Sequence, residues 1–85
     1  MARRVGVNLI VWAHVKIDMA ALGIDELDIL HALQSCRVVG MEVLGSVERY
    51  HAMGRDTDGR MLGVLFVLSL ELHAVEVVRV SIQEV

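Results

Sequence analysis

Proline is absent from the chain, cysteine occurs once, and phenylalanine, tryptophan and tyrosine occur once each. Without proline no stretch reads as a stiff linker. A single cysteine, Cys36, cannot close an internal disulfide. It reads as a mark of a reducing, cytosolic setting or as a small apolar group of the core. Long hydrophobic runs are missing too. Met61–Leu70 is the greasiest stretch, yet it contains Gly63 and Ser69 and is about half the ~20 residues of a membrane-crossing helix. The apolar run Val5–Ala13 is interrupted by Asn8 and ends at His14 without a convincing cleavage site, so no secretory signal is expected. A basic excess is also lacking. Eight Lys and Arg against eleven Asp and Glu leave a charge of −3, which excludes a chain coated with cations for nucleic acid but leaves room for a local basic site.

What is present is aliphatic. Hydrophobic residues make up 55% of the 85 positions and charged residues 22%, which excludes a disordered tail. The length suits one domain, residues 1–85, and such a domain removes only ~60–65% of its unfolded surface from water. Five methionines and so much aliphatic surface exceed what a fold of this size easily hides, so a partner surface is expected.

Periodicity divides the chain. Val5–Val11 reads as a first strand. Trp12, Val15, Met19 and Leu22 then fall on one helix face, and Gly23 can close that helix in the left-handed conformation. Asp25 and Asp28 have the spacing of an N-cap and its capping box. Ile24, Leu27, Leu30 and Leu33 supply the apolar face of a second helix that fades near Gln34–Cys36. Strands are expected over Arg37–Leu44 and Ser46–Met53. In the latter, Val47, Arg49, His51 and Met53 alternate with Glu48, Tyr50 and Ala52. Asp58-Gly59 marks a hairpin in which both residues tolerate positive φ. Met61–Leu70 reads as a central strand covered on both faces, and Ala74–Gln83 as the last strand. The expected fold is α+β in the order β-α-α-β-β-β-β, with two helices on one face of a mainly antiparallel sheet.

Several short motifs occur along this order. They are His14-Val15-Lys16-Ile17-Asp18-Met19, Gly23-Ile24, Asp28-Ile29-Leu30-His31-Ala32-Leu33, Arg49-Tyr50 through Gly54-Arg55, Gly59-Arg60 and Arg79-Val80-Ser81-Ile82. Together, from about Leu9 to Ile82, they resemble the RelE/BrnT-like superfamily of small toxin-type proteins. The nearest branch has the pattern H-A-x-x-R-M, G-I, D-I-x-x-A-L, R-Y-x-x-x-G-R, G-R and R-V-I-T or R-V-I-S. For the toxin branches the resemblance implies a RelE-like fold and a metal-independent mRNA endoribonuclease, ribosome-associated or free. It implies neutralisation by a cognate antitoxin encoded beside it, and no metal or organic cofactor. Lys16 stands where BrnT-like toxins carry a basic residue on the first helix, and Arg49, Arg55 and Arg79 match the sheet arginines. Asp18 replaces the branch's helix arginine, and Glu84 stands where toxins tend to carry a second arginine. These departures bear on catalysis more than on the fold.

Cleaving RNA without a metal needs a group that positions or deprotonates the 2′-oxygen, a cation for the phosphoryl oxygens and an acid for the leaving oxygen. Arginine suits the cationic role, and histidine is the residue type that titrates near neutrality. Arg49 and His51, two apart on a strand, share a face and combine the two. Lys16, Arg49, His51 and Arg79 are therefore the catalytic candidates. Arg55 and Arg60, flanking the hairpin turn, are candidates for backbone phosphates, and Tyr50 is a weaker one for base stacking. Each has a plainer alternative. Arg49 and His51 also suit an exposed strand, and Lys16 a solvated helix face. Arg55 and Arg60 can pair with Asp56 and Asp58, and Arg79 with Glu71 or Glu76. No pair among His14, His31, His51 and His73 has metal-ligand spacing, and His14 with Asp18 is a weak substitute, so no metal site is expected.

Two functions follow as expectations. One is a cytoplasmic toxin of a type II toxin–antitoxin system, an active or attenuated endoribonuclease partnered by an antitoxin and by RNA or the ribosome. The other is a non-catalytic interaction module on the same scaffold, a homo-oligomer or a subunit of a complex. Neither involves a membrane, and a ligand-binding domain ranks behind both.

Overall fold

The first part of the chain crosses the full width of one sheet. Strand β1 (Asn8–Val11) lies at one edge. Helices α1 (Ala13–Leu22) and α2 (Glu26–Gln34) then carry the chain over one face to β2 (Arg37–Leu44) at the other edge. Strands β3 (Val47–Arg55), β4 (Met61–Ser69) and β5 (Ala74–Ile82) return by successive antiparallel pairings. β5 then meets β1 in parallel, giving the order β1-β5-β4-β3-β2. This architecture comes from a computed structural model that describes residues 8–69 and 73–83. The element order is the one expected. Val5–Gly6–Val7 of the first strand, Leu70 of the fourth, and Glu71 and Glu84 lie outside the described residues.

Local signals place the helices. Trp12 precedes α1 in an extended conformation, and its carbonyl accepts from the amides of Val15 and Lys16. Gly23, with φ of 73°, ends the helix in the left-handed region that its missing side chain permits. Val15 and Met19 are buried. Trp12 and Leu22, expected on the same face, are 44% and 36% exposed because they sit at the two ends of the helix. At α2 the Asp25 and Asp28 side chains reciprocally accept each other's backbone N–H, a complete capping box. The inner face of α2 carries Asp28, Ile29 and Ala32, while Leu27 is 68% exposed. A strict three-residue repeat rotates off a helix with 3.6 residues per turn, so of the expected row Ile24, Leu27, Leu30 and Leu33, Ile24 is buried and Leu33 packs against the core while Leu27 turns to solvent.

Helix α1 rests on β5 and α2 on β3 and β4. Val15, Met19, Ile24, Ile29 and Ala32 close over Ala52, Leu62, Val64, Phe66, Val77 and Val80. Cys36 is half-buried against the same core. β4 is the middle strand, but the helices cover only one of its faces. Leu62, Val64 and Phe66 are buried, whereas Leu65 and Val67 on the other face are only half-buried. The expectation of cover on both faces fails because both helices lie on the same side.

The β3–β4 hairpin closes at Asp56–Arg60. The Asp56 amide donates to the Arg60 carbonyl, and the Gly59 amide to the Asp56 carbonyl. Gly59 alone in this turn has positive φ, 86°; Asp58 does not share it. A type I turn followed by one left-handed residue is a common three-residue hairpin loop. Among the described residues no helix is long and apolar enough to cross a membrane.

Candidate nucleic-acid interface

The sheet face away from the helices carries most of the sequence-predicted residues. Register aligns His51 of β3 with Leu65 of β4 and Arg79 of β5, so His51 and Arg79 stand on one face, one strand apart. The next row aligns Met53, Gly63 and Ser81. Arg49 lies one row to the other side, aligned with Val67 and Glu76.

A β-bulge brings Arg79 to this face. The register of β5 against β4 slips between Leu65 and Phe66, leaving Val78 as an extra residue. Val77 and Val80 both enter the core, three apart, while Glu76 and Arg79 both face outward. Regular alternation would have put Arg79 on the buried side with Val77. The His14 ring Nε2 donates to the Val78 carbonyl at 3.1 Å, so α1 satisfies the acceptor that the bulge exposes.

Gly63 is the floor of the site. A methyl group built there would lie 2.8 Å from Gln83 Nε2, 3.1 Å from Ser81 Oγ and 3.3 Å from His51 Nε2. Three polar tips therefore crowd one point that only glycine leaves open. Gln83 Nε2 donates to Ser81 Oγ at 2.8 Å, which leaves one amide hydrogen and the serine hydroxyl hydrogen for a ligand. Arg79 lines the same hollow, of about 300 Å³, and among the described residues no carboxylate lines it. Among the described residues Arg79 has no ion-pair partner. Its suggested partner Glu76 instead accepts from Trp12 Nε1 at 3.3 Å. Ser81 and Gln83 carry no signal in the sequence by themselves; the small residue opposite them, Gly63 inside an apolar strand, is the one available clue.

Other candidates are placed elsewhere or engaged. Arg49 is on the open face, but its Nε and Nη2 both donate to Glu42 Oε1, at 3.1 and 2.8 Å. Lys16 is exposed on α1, on the helix-covered side. Tyr50 faces the helix side, stacks on Phe66 at 5.6 Å and donates its hydroxyl to Glu48, whose carboxylate holds the phenol's pKa up. Arg55 donates to the Gly59 carbonyl at 2.8 Å and remains exposed.

Arg60 is committed to the scaffold. Its Nε donates to the buried Asp56 at 2.7 Å, and its two terminal nitrogens donate to the carbonyls of Leu22 and Gly23 at the end of α1. Burial alone would raise the Asp56 pKa, but hydrogen bonds from Arg60 and from the Asp58 amide outweigh it and hold the carboxyl below its ordinary value. Asp28 clamps the same turn by accepting from the hydroxyl and amide of Thr57. The Thr57 hydroxyl, then the Asp25 amide, bring the Asp28 pKa down to about 2 against the pull of burial. These carboxylates tie both helices to the hairpin.

Among the described residues no group of three or more His, Cys, Asp or Glu side chains is placed to hold a metal ion. No protein-family model, no curated protein and no solved structure matches the chain.

Proposed function

We propose that the open face of the sheet binds single-stranded RNA and cleaves it without a metal, with the scissile phosphate over Gly63. The carrying observation is the convergence of His51, Ser81 and Gln83 on one point beside Arg79, which among the described residues has no ion-pair partner and no carboxylate near it in the hollow. Arg79 stabilises charge on the phosphoryl oxygens, and the Ser81 hydroxyl and Gln83 amide add neutral donors. His51 takes the proton of the 2′-hydroxyl as that oxygen bonds to phosphorus, the bond to the 5′-oxygen breaks to leave a 2′,3′-cyclic phosphate, and water supplies the proton that the departing 5′-oxygen takes up. The ordered motifs resembling RelE/BrnT-like toxins favour this reading, with an antitoxin as the natural inhibitor of a cytoplasmic nuclease.

The test is cleavage of an end-labelled RNA by the purified protein. His51→Ala and Arg79→Ala should each slow it by roughly 10²-fold or more. Wild-type protein that neither cleaves nor binds RNA would overturn the proposal.

A second reading, the interaction module, is favoured by β2. All eight of its residues are exposed, and Val38, Val39, Met41, Val43 and Leu44 are each at least 50% so. Such an apolar edge strand invites a partner strand, from a second copy or an antitoxin. A monomer by light scattering, together with RNA cleavage, would set this reading aside.

A further inference from the structure

We infer that a second cleft, built around Arg37 and Arg55 where the open face meets the C-terminal end of α2, holds the nucleotide next to the one over Gly63; this rests on the RNA reading above. The cleft measures about 600 Å³, within the ordinary range of ligand sites. His31, Ser35, Arg37, Met53, Arg55 and Met61 line it. Among the described residues its charged and titratable wall groups are two arginines and a histidine, with no carboxylate, in a chain whose net charge is −3. Among the described residues the Arg37 guanidinium has no ion-pair or hydrogen-bond partner and is exposed. His31 Nδ1 is already engaged with the Arg55 carbonyl at 2.9 Å, which leaves Nε2 for a ligand.

The two hollows adjoin. Met53 of this cleft is the register partner of Gly63, and the backbone N–H of Gln83 beside the first hollow donates to the Met61 carbonyl at 2.8 Å. Met61 lies two residues before Gly63 on β4, a step of about 6.8 Å along a strand. Arg37 stands in the row of Met53 and Gly63, two strands beyond Gly63, so an extended polynucleotide crossing the sheet from β5 towards β2 meets Arg79 with one phosphate and Arg37 and Arg55 with its neighbour. The polarizable side chains of Met53 and Met61 form an apolar floor for the base between them. Rigid arginine forks on either side of apolar walls suit a nucleotide better than a simple inorganic anion.

Arg37 carries the test because among the described residues it holds no other group, whereas Arg55 also braces the hairpin. The probe is a 2′-O-methylated oligoadenylate of ten nucleotides, which binds without being cut, followed by fluorescence anisotropy across a salt series. Arg37→Ala should weaken binding about tenfold at low salt and lower the log–log salt slope by about 0.7, the share of one phosphate on a single strand. Arg37→Lys should keep the slope. Unchanged affinity and slope in Arg37→Ala, with binding still lost in Arg79→Ala, would overturn the second subsite alone. No binding by wild-type protein, or equal binding by wild type and Arg79→Ala, would overturn the RNA reading and the subsite with it.

Discussion

Gly54 of β3 lies directly beneath the Ala32 carbonyl of α2, so close that a methyl group on Gly54 would overlap that backbone oxygen. The contact fixes how near α2 can come to the sheet, and with it the burial of Ile29. A flexible side chain can swing away from an intruding methyl, but a helix backbone cannot. Gly54→Ala should therefore lift α2 and cost about 2–3 kcal/mol, the scale of overpacking a tight core. In a domain of this size that is a fall in Tm of about 10 °C or more. An unchanged melting temperature in calorimetry would show that α2 does not rest there.

Gly63→Ala provides the contrast. Its methyl would meet only the ends of the Gln83, Ser81 and His51 side chains. Those tips can move, and alanine is the better strand residue by about 0.5–1 kcal/mol. Stability should hold or rise, while RNA affinity falls about tenfold because the donors no longer share one point. Intact RNA binding in this variant would remove Gly63 and its polar ring from the site.

His14 is expected to act on the site through Val78 and Arg79. Its hydrogen bond to the Val78 carbonyl steadies the bulge that turns Arg79 outward. Losing one such bond costs about 1 kcal/mol, so His14→Ala should weaken RNA binding about fivefold. Amide exchange at Val78 and Arg79 should quicken at the same time, which a general loss of stability would not confine to β5. Uniformly faster exchange across all strands would deny His14 this role.

Acid should loosen the hairpin clamp. The Asp28 carboxyl is held down to about 2 in the folded chain against an ordinary value of 3.8. A depressed folded pKa stabilises the fold above the unfolded value and loses that contribution as pH falls through the folded one. The loss therefore lies between about pH 4 and pH 2 and amounts to roughly 2 kcal/mol. Asp56, also held low, adds sensitivity in the same direction. Asp28→Asn should be destabilised at pH 7, and its deficit against wild type should shrink towards pH 2, as read by urea unfolding. A deficit that stays constant with pH would mean that the Asp28 charge is not what Thr57 and Asp25 hold.

Much of this arrangement is legible in the residues. Gly23 and the Asp25–Asp28 pair mark the helix ends because capping is local chemistry, and the alternation of β3 puts Arg49 and His51 on one face. What the sequence hides is long-range or out of phase. Arg60 caps a helix 38 positions earlier, a partnership that no local pattern encodes. Arg79 reaches the open face only through an extra residue in β5, which breaks the period on which strand reading depends. Arg37 joins that face through a second bulge, between Val38 and Gly40. Arg49, the most inviting cation in the sequence, is held by Glu42 across the strand pair, a match visible only once the register is known.

The most direct measurement is an amide chemical-shift titration of the protein with an uncleavable RNA oligonucleotide. Binding on the open face should move the resonances of His51, Gly63, Leu65, Arg79 and Ser81, extend to Met53 and Met61, and leave α1 nearly still. Perturbations confined to β2 or to the helices, or none at all, would contradict a nucleic-acid site on that face.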